Sequence, residues 1–184
     1  MTIKVLAISG SLRAASYNTL ALRAAAALAP AGMEVTLYEG MRDLPLYDDD
    51  LRAAGYPAPV AAFRAAIKAA DALLIASPEY NFSVSGVLKN AIDWASRVPD
   101  QPFDGKPVAI LGAATGAYGT ARSQYDLRKI LGSINAHVLN KPEILIAQAA
   151  TRFDAAGNLT DETVRGLIAQ QLVALQAWTL RLKG

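Results

Sequence analysis

The chain has 184 residues, of which 53% are hydrophobic and 18% charged, and its formal net charge is +2. This length suits one domain, 1–184, with a sizeable core, and the lysines and arginines form no block of the kind that indicates nucleic-acid binding. The absence of cysteine excludes disulfides, thiolate metal ligands and a cysteine nucleophile. No apolar run is long enough for a membrane helix or the core of a signal peptide, so we expect a cytoplasmic protein that binds neither nucleic acid nor a membrane.

Five apolar runs with the lengths of strands alternate with stretches of helical periodicity. The runs cover residues 3–8, 33–38, 72–76, 107–112 and 137–146. The third and fourth are continuously apolar, as strands buried on both faces are, and the fifth is interrupted by Pro142. Helical periods begin near Ala21, Val60, Leu88, Leu127 and Val164, and Thr160 is the expected N-cap of the last helix. This alternation predicts an α/β fold, a parallel sheet with helices on both faces.

Three polar loops are expected at one edge of this sheet. They cover residues 9–18, 77–86 and 112–120 and follow the first, third and fourth strands. In open α/β sheets, ligands bind outside the carboxyl ends of the strands. The three loops are therefore the predicted binding region.

The first loop, "SGSLRAASYN", combines hydroxyls, an amide and a cation at the start of a helix. A helix N-terminus offers free N–H groups to a phosphate, and Gly10 would allow a tight turn. Neither a Walker A lysine nor G-x-G-x-x-G is present, which favours a phosphate monoester over a pyrophosphate. The alternative is that Ser16 or Asn18 merely caps the helix and that Arg13 is a solvated loop residue. The candidate phosphate donors are Ser11, Arg13, Ser16 and Asn18.

The second loop begins the segment "SPEYNFSVSGVLKNAIDW" at residues 77–94. Its polar groups, aromatic ring and backbone amides could contact a flat heteroaromatic ligand. The alternative is a polar connection with a buried Tyr80. Either Ser83 or Ser85 is expected to cap the helix that begins near Gly86.

Three segments together resemble the NAD(P)H-dependent FMN reductase family, whose close relatives include chromate, quinone and azo-dye reductases. They are "GSLRAASYN", "PEYNFSVSGVLKNAIDW" and "GAATGAYGTARSQYDLR", and the resemblance extends over nearly the whole chain. It implies a flavodoxin-like fold with strand order 2-1-3-4-5, FMN as cofactor, NADPH or NADH as co-substrate, and a homodimer or homotetramer. The expected acceptor is a small molecule such as a quinone, a flavin, chromate or an azo compound. Because the chain is too short for a separate nicotinamide domain, both substrates are expected to use the same open face of FMN in turn, which predicts ping-pong kinetics.

The resemblance assigns the three loops to different parts of FMN. The implied cofactor-binding residues are Ser11, Leu12, Arg13, Ser16, Tyr17 and Asn18 at the phosphate, Pro78, Glu79, Tyr80, Asn81 and Ser83 around the isoalloxazine, and Ala113, Ala114, Thr115 and Gly116 beside the ring. No catalytic side chain and no metal are implied, because the flavin carries the chemistry. Relatives often have proline where Ser85 stands and serine where Ala114 stands, so a hydroxyl contact of the third loop would be missing here.

Other classes of protein with a related fold fit less well. A flavodoxin-like electron carrier without NAD(P)H activity is the main alternative, although such carriers are usually acidic. A response-regulator receiver needs acids after the first strand, and a low-molecular-weight tyrosine phosphatase needs a cysteine; both features are absent. The sequence leaves open which acceptor is used and whether NADPH or NADH is preferred.

Several further residues have less specific expectations. A lone histidine near a strand start is expected to be structural, and three adjacent acids diverge in any regular backbone and suit a solvated loop rather than a metal site. The tryptophan that closes an apolar helix face is expected in the core or at a subunit interface. The polar start of the fourth predicted helix could meet nicotinamide, a partner chain or water. The histidine is His137, the three acids are Asp48 to Asp50, the tryptophan is Trp94, and the polar helix start comprises Arg122, Gln124 and Tyr125.

Overall fold

The computed structural model describes residues 2–184, in which six strands form one parallel sheet. The strands are β1 (Ile3–Ser9), β2 (Met33–Leu37), β3 (Ala72–Ala76), β4 (Pro107–Ala113), β5 (His137–Val138) and β6 (Ile144–Ile146). Their order is β2-β1-β3-β4-β5, with β6 also paired to β4. The predicted order 2-1-3-4-5 is therefore confirmed.

The predicted fifth strand consists of two short strands. β5 pairs with the amino end of β4, where His137 is opposite Pro107, and β6 pairs with its carboxyl end, where Ile146 is opposite Ala113. Pro142 lies between them and has no N–H to contribute to a strand ladder. Its carbonyl instead accepts a hydrogen bond from Gln171 Nε2 at 3.0 Å. β5 and β6 thus pair with different parts of β4.

In the same described part of the chain, six α-helices connect the strands or follow the sheet. They are α1 (Tyr17–Ala27), α2 (Asp49–Ala53), α3 (Ala58–Ala69), α4 (Gly86–Ala95), α5 (Ala121–Ser133) and α6 (Glu162–Lys183). The expectation that Thr160 caps α6 is wrong. Asp161 is the N-cap and its carboxylate accepts from Val164 N at 2.9 Å, whereas the Thr160 hydroxyl donates to the Arg152 carbonyl.

The three adjacent acids begin a short helix rather than a loop. Asp48 caps α2 by accepting from Asp50 N at 2.8 Å. Arg52 and the Tyr47 hydroxyl both donate to Asp49 and lower the pKa of its carboxyl to about 2. Among residues 2–184, no three histidine, cysteine, aspartate or glutamate side chains are grouped so that they could hold a metal ion. No helix in that range is both long and apolar enough to span a membrane.

Each face of the sheet has its own hydrophobic core because strand side chains alternate between faces. One core contains Val5 and Ala7 with the buried sides of α1 and α6. The other contains Leu6 and Ile8 with α3, α4 and α5. Trp94 of α4 is fully buried, and its Nε1 donates to the Pro45 carbonyl at 2.8 Å.

The register of the central strands brings the three polar loops together. Ser9 at the end of β1 is opposite Ala76 at the end of β3, and Ala76 is opposite Leu111 of β4. The segments that follow these strands therefore leave the sheet side by side, as the alternation of strands and helices predicted.

Candidate functional site

A cavity lies where the three loops meet at the carboxyl edge of the sheet. It encloses about 160 Å³ and is open to solvent, so a larger ligand would extend beyond it. Its lining consists of Ser11, Arg13, Ser16, Tyr17, Asn18, Pro78, Glu79, Tyr80, Ala113, Ala114 and Thr115. All of these are predicted site residues, whereas Leu12, Asn81, Ser83 and Gly116 do not line the cavity.

The first loop presents hydrogen-bond donors at the N-terminus of α1. The Ser16 hydroxyl caps the helix by accepting from Thr19 N at 3.4 Å, which leaves its own proton free to donate. The N–H groups of Tyr17 and Asn18 have no hydrogen-bond partner in residues 2–184. The guanidinium carbon of Arg13 is 5.8 Å from the centre of the Tyr17 ring, and both residues line the cavity. This group of donors is suited to an anion.

The Asn18 side chain has a different role from the one expected. Its Oδ1 accepts from Ala113 N at 2.9 Å and its Nδ2 donates to Ala113 O at 3.0 Å. Both polar atoms of the side chain are therefore used to join the first loop to the third. What remains for a ligand is the backbone N–H of Asn18 and the second hydrogen of its Nδ2.

Two further contacts hold the first loop in place. Arg42 Nη2 donates to the Leu12 carbonyl at 2.5 Å, and the Leu12 side chain packs against the second core. The buried Ser85 hydroxyl donates to the Gly10 carbonyl at 2.6 Å and accepts from Leu88 N at 3.2 Å. Ser85 is thus the N-cap of α4 and also joins the second loop to the first, which proline could not do because it has no hydroxyl.

The Glu79 carboxylate points to α5. It accepts from the backbone N–H groups of Arg122 at 3.0 Å and Ser123 at 3.3 Å, and it also pairs with the Arg122 guanidinium. Thr120, which has a left-handed φ of 74°, provides no side-chain cap for α5. Glu79 therefore supplies the cap from the neighbouring loop, and the same residue lines the cavity.

A tight turn follows Glu79. The backbones of Tyr80 and Ser83 exchange two hydrogen bonds of 3.0 Å, and both central residues have positive φ, 50° for Asn81 and 68° for Phe82. Two such residues make a type I′ turn. Asparagine tolerates this conformation, but phenylalanine is strained by about 1 kcal/mol or more. The exposed Phe82 ring lies 3.9 Å from the Arg122 guanidinium carbon.

The third loop is held against β6. Ala114 N donates to Ile146 O, and Gln148 N donates to Gly116 O, both at 3.0 Å. An added Cβ on Gly112 would lie 1.9 Å from Thr120 Oγ1, so glycine is needed for this close approach. Asn81, Ser83 and Gly116 thus build the loops around the cavity.

The remaining candidates lie outside the cavity. Gln124 is buried and donates to Thr120 Oγ1 and Ile144 O, which makes it part of the scaffold. Tyr125 is exposed. His137 lies at the amino end of the sheet, opposite to the edge that carries the cavity.

Comparisons with known proteins agree on one family. The model of the NADPH-dependent FMN reductase family matches residues 3–151. An NAD(P)H-dependent FMN reductase of Pseudomonas aeruginosa is 58% identical over 99% of this chain and 98% of its own length. A quinone reductase of Escherichia coli K12 is 43% identical over 98% of this chain and 97% of its own. The solved structure of FerB, a flavoenzyme NAD(P)H:(acceptor) oxidoreductase from Paracoccus denitrificans, has a TM-score of 0.88 and 35% identity, with 98% of both chains covered.

Proposed function

The chain belongs to the NADPH-dependent FMN reductase family, and from this premise we propose that it uses bound FMN to oxidise NADPH or NADH and to reduce small acceptors such as quinones. The observation that carries this proposal is the cavity, which is lined by Arg13 and by residues whose backbone N–H groups, those of Tyr17, Asn18 and Glu79, have no hydrogen-bond partner in residues 2–184. The family and its relatives support a redox role for a group bound there.

The donor set fits a phosphate monoester at the first loop. The Tyr17 and Asn18 N–H groups, the Ser16 hydroxyl and Arg13 supply neutral and charged donors to its oxygens. The cavity's one acidic side chain, Glu79, is neutralised by Arg122 and by α5, so it does not oppose an anion. These residues would hold the FMN phosphate.

The isoalloxazine would lie between the second and third loops. The cavity is lined by Pro78, Glu79 and Tyr80 of the second loop and by Ala113, Ala114 and Thr115 of the third. Ala114 supplies no hydroxyl, and the backbone groups of Ala113 and Ala114 are bonded to Asn18, Ile146 and Ala149. Polar contacts from the third loop would therefore come from Thr115. FMN bound there supplies two-electron transfer, and the protein supplies binding, orientation and hydrogen bonds.

In this proposal NADPH or NADH and the acceptor use the same exposed face of the flavin in turn, because the chain is too short for a separate nicotinamide domain. Such alternation gives ping-pong kinetics. Tyr80 is 54% and Phe82 64% exposed, so the rim offers aromatic surface to a planar acceptor. A permissive entrance of this kind also suits free flavins, azo compounds and chromate as acceptors.

The decisive experiment is an absorbance spectrum of the purified protein followed by anaerobic titration with NADPH and with NADH. We expect a flavin spectrum that bleaches with either nicotinamide and recovers when a quinone is added. Parallel lines in double-reciprocal plots would support the ping-pong order. A colourless protein that does not bind added FMN would refute the proposal. Bound FMN that stays oxidised with both nicotinamides would instead indicate a flavodoxin-like electron carrier.

We further propose that the protein forms a homodimer or homotetramer to which the α4 region contributes. Leu46 and Val98 are 82% and 72% exposed. The residue before Leu46 is Pro45, whose carbonyl accepts from Trp94 of α4, and Val98 lies just after that helix. Size-exclusion chromatography with light scattering tests this, and a single species at the 19.4 kDa chain mass would contradict it.

A further inference from the structure

Two buried serine hydroxyls converge on one backbone carbonyl next to the cavity. Ser77 Oγ lies 2.8 Å and Ser123 Oγ 3.0 Å from Pro78 O, and the two hydroxyl oxygens are 2.9 Å apart. The two hydroxyl protons serve two of these three contacts, so Pro78 O accepts either from both serines or from one serine that itself accepts from the other. Both serines are fully buried. A polar pair in the core of the fold needs partners, and here its partner is the carbonyl of a residue that lines the cavity.

This carbonyl belongs to the peptide unit that joins Pro78 to Glu79. In residues 2–184 the cis peptide bonds are Val98–Pro99 and Lys141–Pro142, so this unit is trans and its N–H points away from its C=O. The Glu79 N–H has no hydrogen-bond partner among the described residues. Since the Pro78 carbonyl points to the buried serines, the Glu79 N–H points to the opposite side, where the cavity lies.

The orientation of this peptide unit is fixed from both ends. On one side the serine pair donates to the Pro78 oxygen, directly or through one another. On the other side the Glu79 carboxylate is held by Arg122 N and Ser123 N at the start of α5. Ser123 therefore contacts both halves of the unit, with its hydroxyl at the carbonyl and its backbone N–H at the carboxylate.

We propose that Ser77 and Ser123 are positioning residues that act through the Pro78–Glu79 peptide to make the Glu79 N–H a stronger donor toward bound isoalloxazine. Donors at a carbonyl oxygen polarise the whole amide and strengthen the hydrogen bond made by its N–H, by roughly 10–30% for each bond. A more negatively charged acceptor gains more from such a donor. The serine pair thereby favours the reduced form of the flavin over the oxidised form. This inference depends on the FMN site proposed above.

The test is the midpoint potential of bound FMN in Ser77→Ala and Ser123→Ala, measured by spectroelectrochemistry. Each variant should bind reduced FMN about two- to threefold more weakly relative to oxidised FMN. For a two-electron couple this shift lowers the potential by about 9–14 mV. The double variant should show about a fivefold effect, or about 20 mV.

Two kinds of control separate this role from a structural one. Ser133→Ala removes a hydroxyl of the same helix that donates to the Ile130 carbonyl at 2.8 Å, and it should leave the potential unchanged. Ser123→Thr keeps a hydroxyl, so its midpoint potential should lie closer to that of wild type than to that of Ser123→Ala. If an alanine variant fails to fold, the cysteine variant at that position has nearly the same volume but a weak donor, and it should lower the potential in the same direction.

A second measurement needs no flavin. In the FMN-free protein, the amide proton of Glu79 should move to lower chemical shift in Ser77→Ala, because its amide is less polarised. Variants that bind both redox forms of FMN more weakly by the same factor, with an unchanged potential, would overturn the inference and leave the proposed function intact. Wild-type protein that binds no FMN would instead refute the proposed function.

Discussion

Replacing Asn18 by alanine tests whether the link between the first and third loops stabilises the fold. The side chain is buried and makes two hydrogen bonds to the Ala113 backbone, at 2.9 and 3.0 Å. Each bond contributes about 1 kcal/mol, and leaving the buried N–H and C=O of Ala113 unpaired costs about 1–3 kcal/mol in addition. Alanine is the better helix former by up to about 0.7 kcal/mol, which offsets part of the loss. We expect the free energy of unfolding to fall by about 2–4 kcal/mol.

The measurement is urea denaturation of the FMN-free protein, followed by circular dichroism. Ser133→Ala is the matched control because its hydroxyl is exposed, and it should change the free energy of unfolding by less than about 0.5 kcal/mol. Asn18→Asp keeps the acceptor for Ala113 N but loses the donor to Ala113 O, and it also puts a negative charge beside the donors of α1. It should weaken FMN binding more than alanine does. If Asn18→Ala behaved like the control, the link would not be stabilising and our account of the loop would be wrong.

Four other substitutions follow from the same geometry. Gly112→Ala places a Cβ 1.9 Å from a side-chain oxygen, so thermal unfolding should show a loss of about 2 kcal/mol or more, and an unchanged melting temperature would contradict the close packing. Ser85→Ala removes a helix cap and a 2.6 Å bond to the first loop and should cost about 2 kcal/mol in urea denaturation; a loss equal to that of capping alone would remove the cross-loop role. Arg13→Ala should weaken FMN binding by at most about 3 kcal/mol in a fluorescence titration, and unchanged affinity would show that Arg13 is not a phosphate ligand. The pKa of Asp161 is lowered, first by the Val164 backbone N–H and then by Arg152. The stability that this carboxylate contributes is therefore present above its ordinary pKa of 3.8 and is lost as the pH falls through the lower pKa of the folded state. Asp161→Ala should melt at a lower temperature than wild type at pH 7 and approach wild type in acid, and a difference in melting temperature that does not change with pH would show that the charge of Asp161 is not its cause.

The architecture could be predicted because it depends on local patterns of apolar and polar residues in the sequence. Apolar runs at 72–76 and 107–112 correspond to β3 and β4, and Leu88, Ala91 and Ile92 form the buried face of α4. Alternation of such elements permits few topologies. The fifth strand could not be predicted to the same accuracy. Pro142 divides it into β5 and β6, and the position of each depends on which residues of β4 it pairs with, which the sequence does not show.

The site was predictable as a region but not in the orientation of every side chain. Eleven of the predicted residues line the cavity, since the loops at the carboxyl ends of neighbouring parallel strands must meet. The sequence presented Asn18, Glu79 and Ser83 as polar groups available to a ligand. The structure commits their side chains to Ala113, to the start of α5 and to Asp126, respectively. A polar residue in a loop does not reveal whether its partner is a ligand or another loop.

By itself the sequence determined the alternation of strands and helices, the places where loops interrupt them, and the concentration of hydroxyls, amides and one arginine before α1. These properties depend on residues close together along the chain. Only the tertiary structure decided which of those polar groups face the cavity, because their partners are far away in sequence: Asn18 binds a residue 95 positions on, and Ser85 binds one 75 positions back. Most buried polar atoms find partners wherever the fold brings them, and at the cavity the N–H groups of Tyr17, Asn18 and Glu79 have none in residues 2–184, which leaves them available to a ligand.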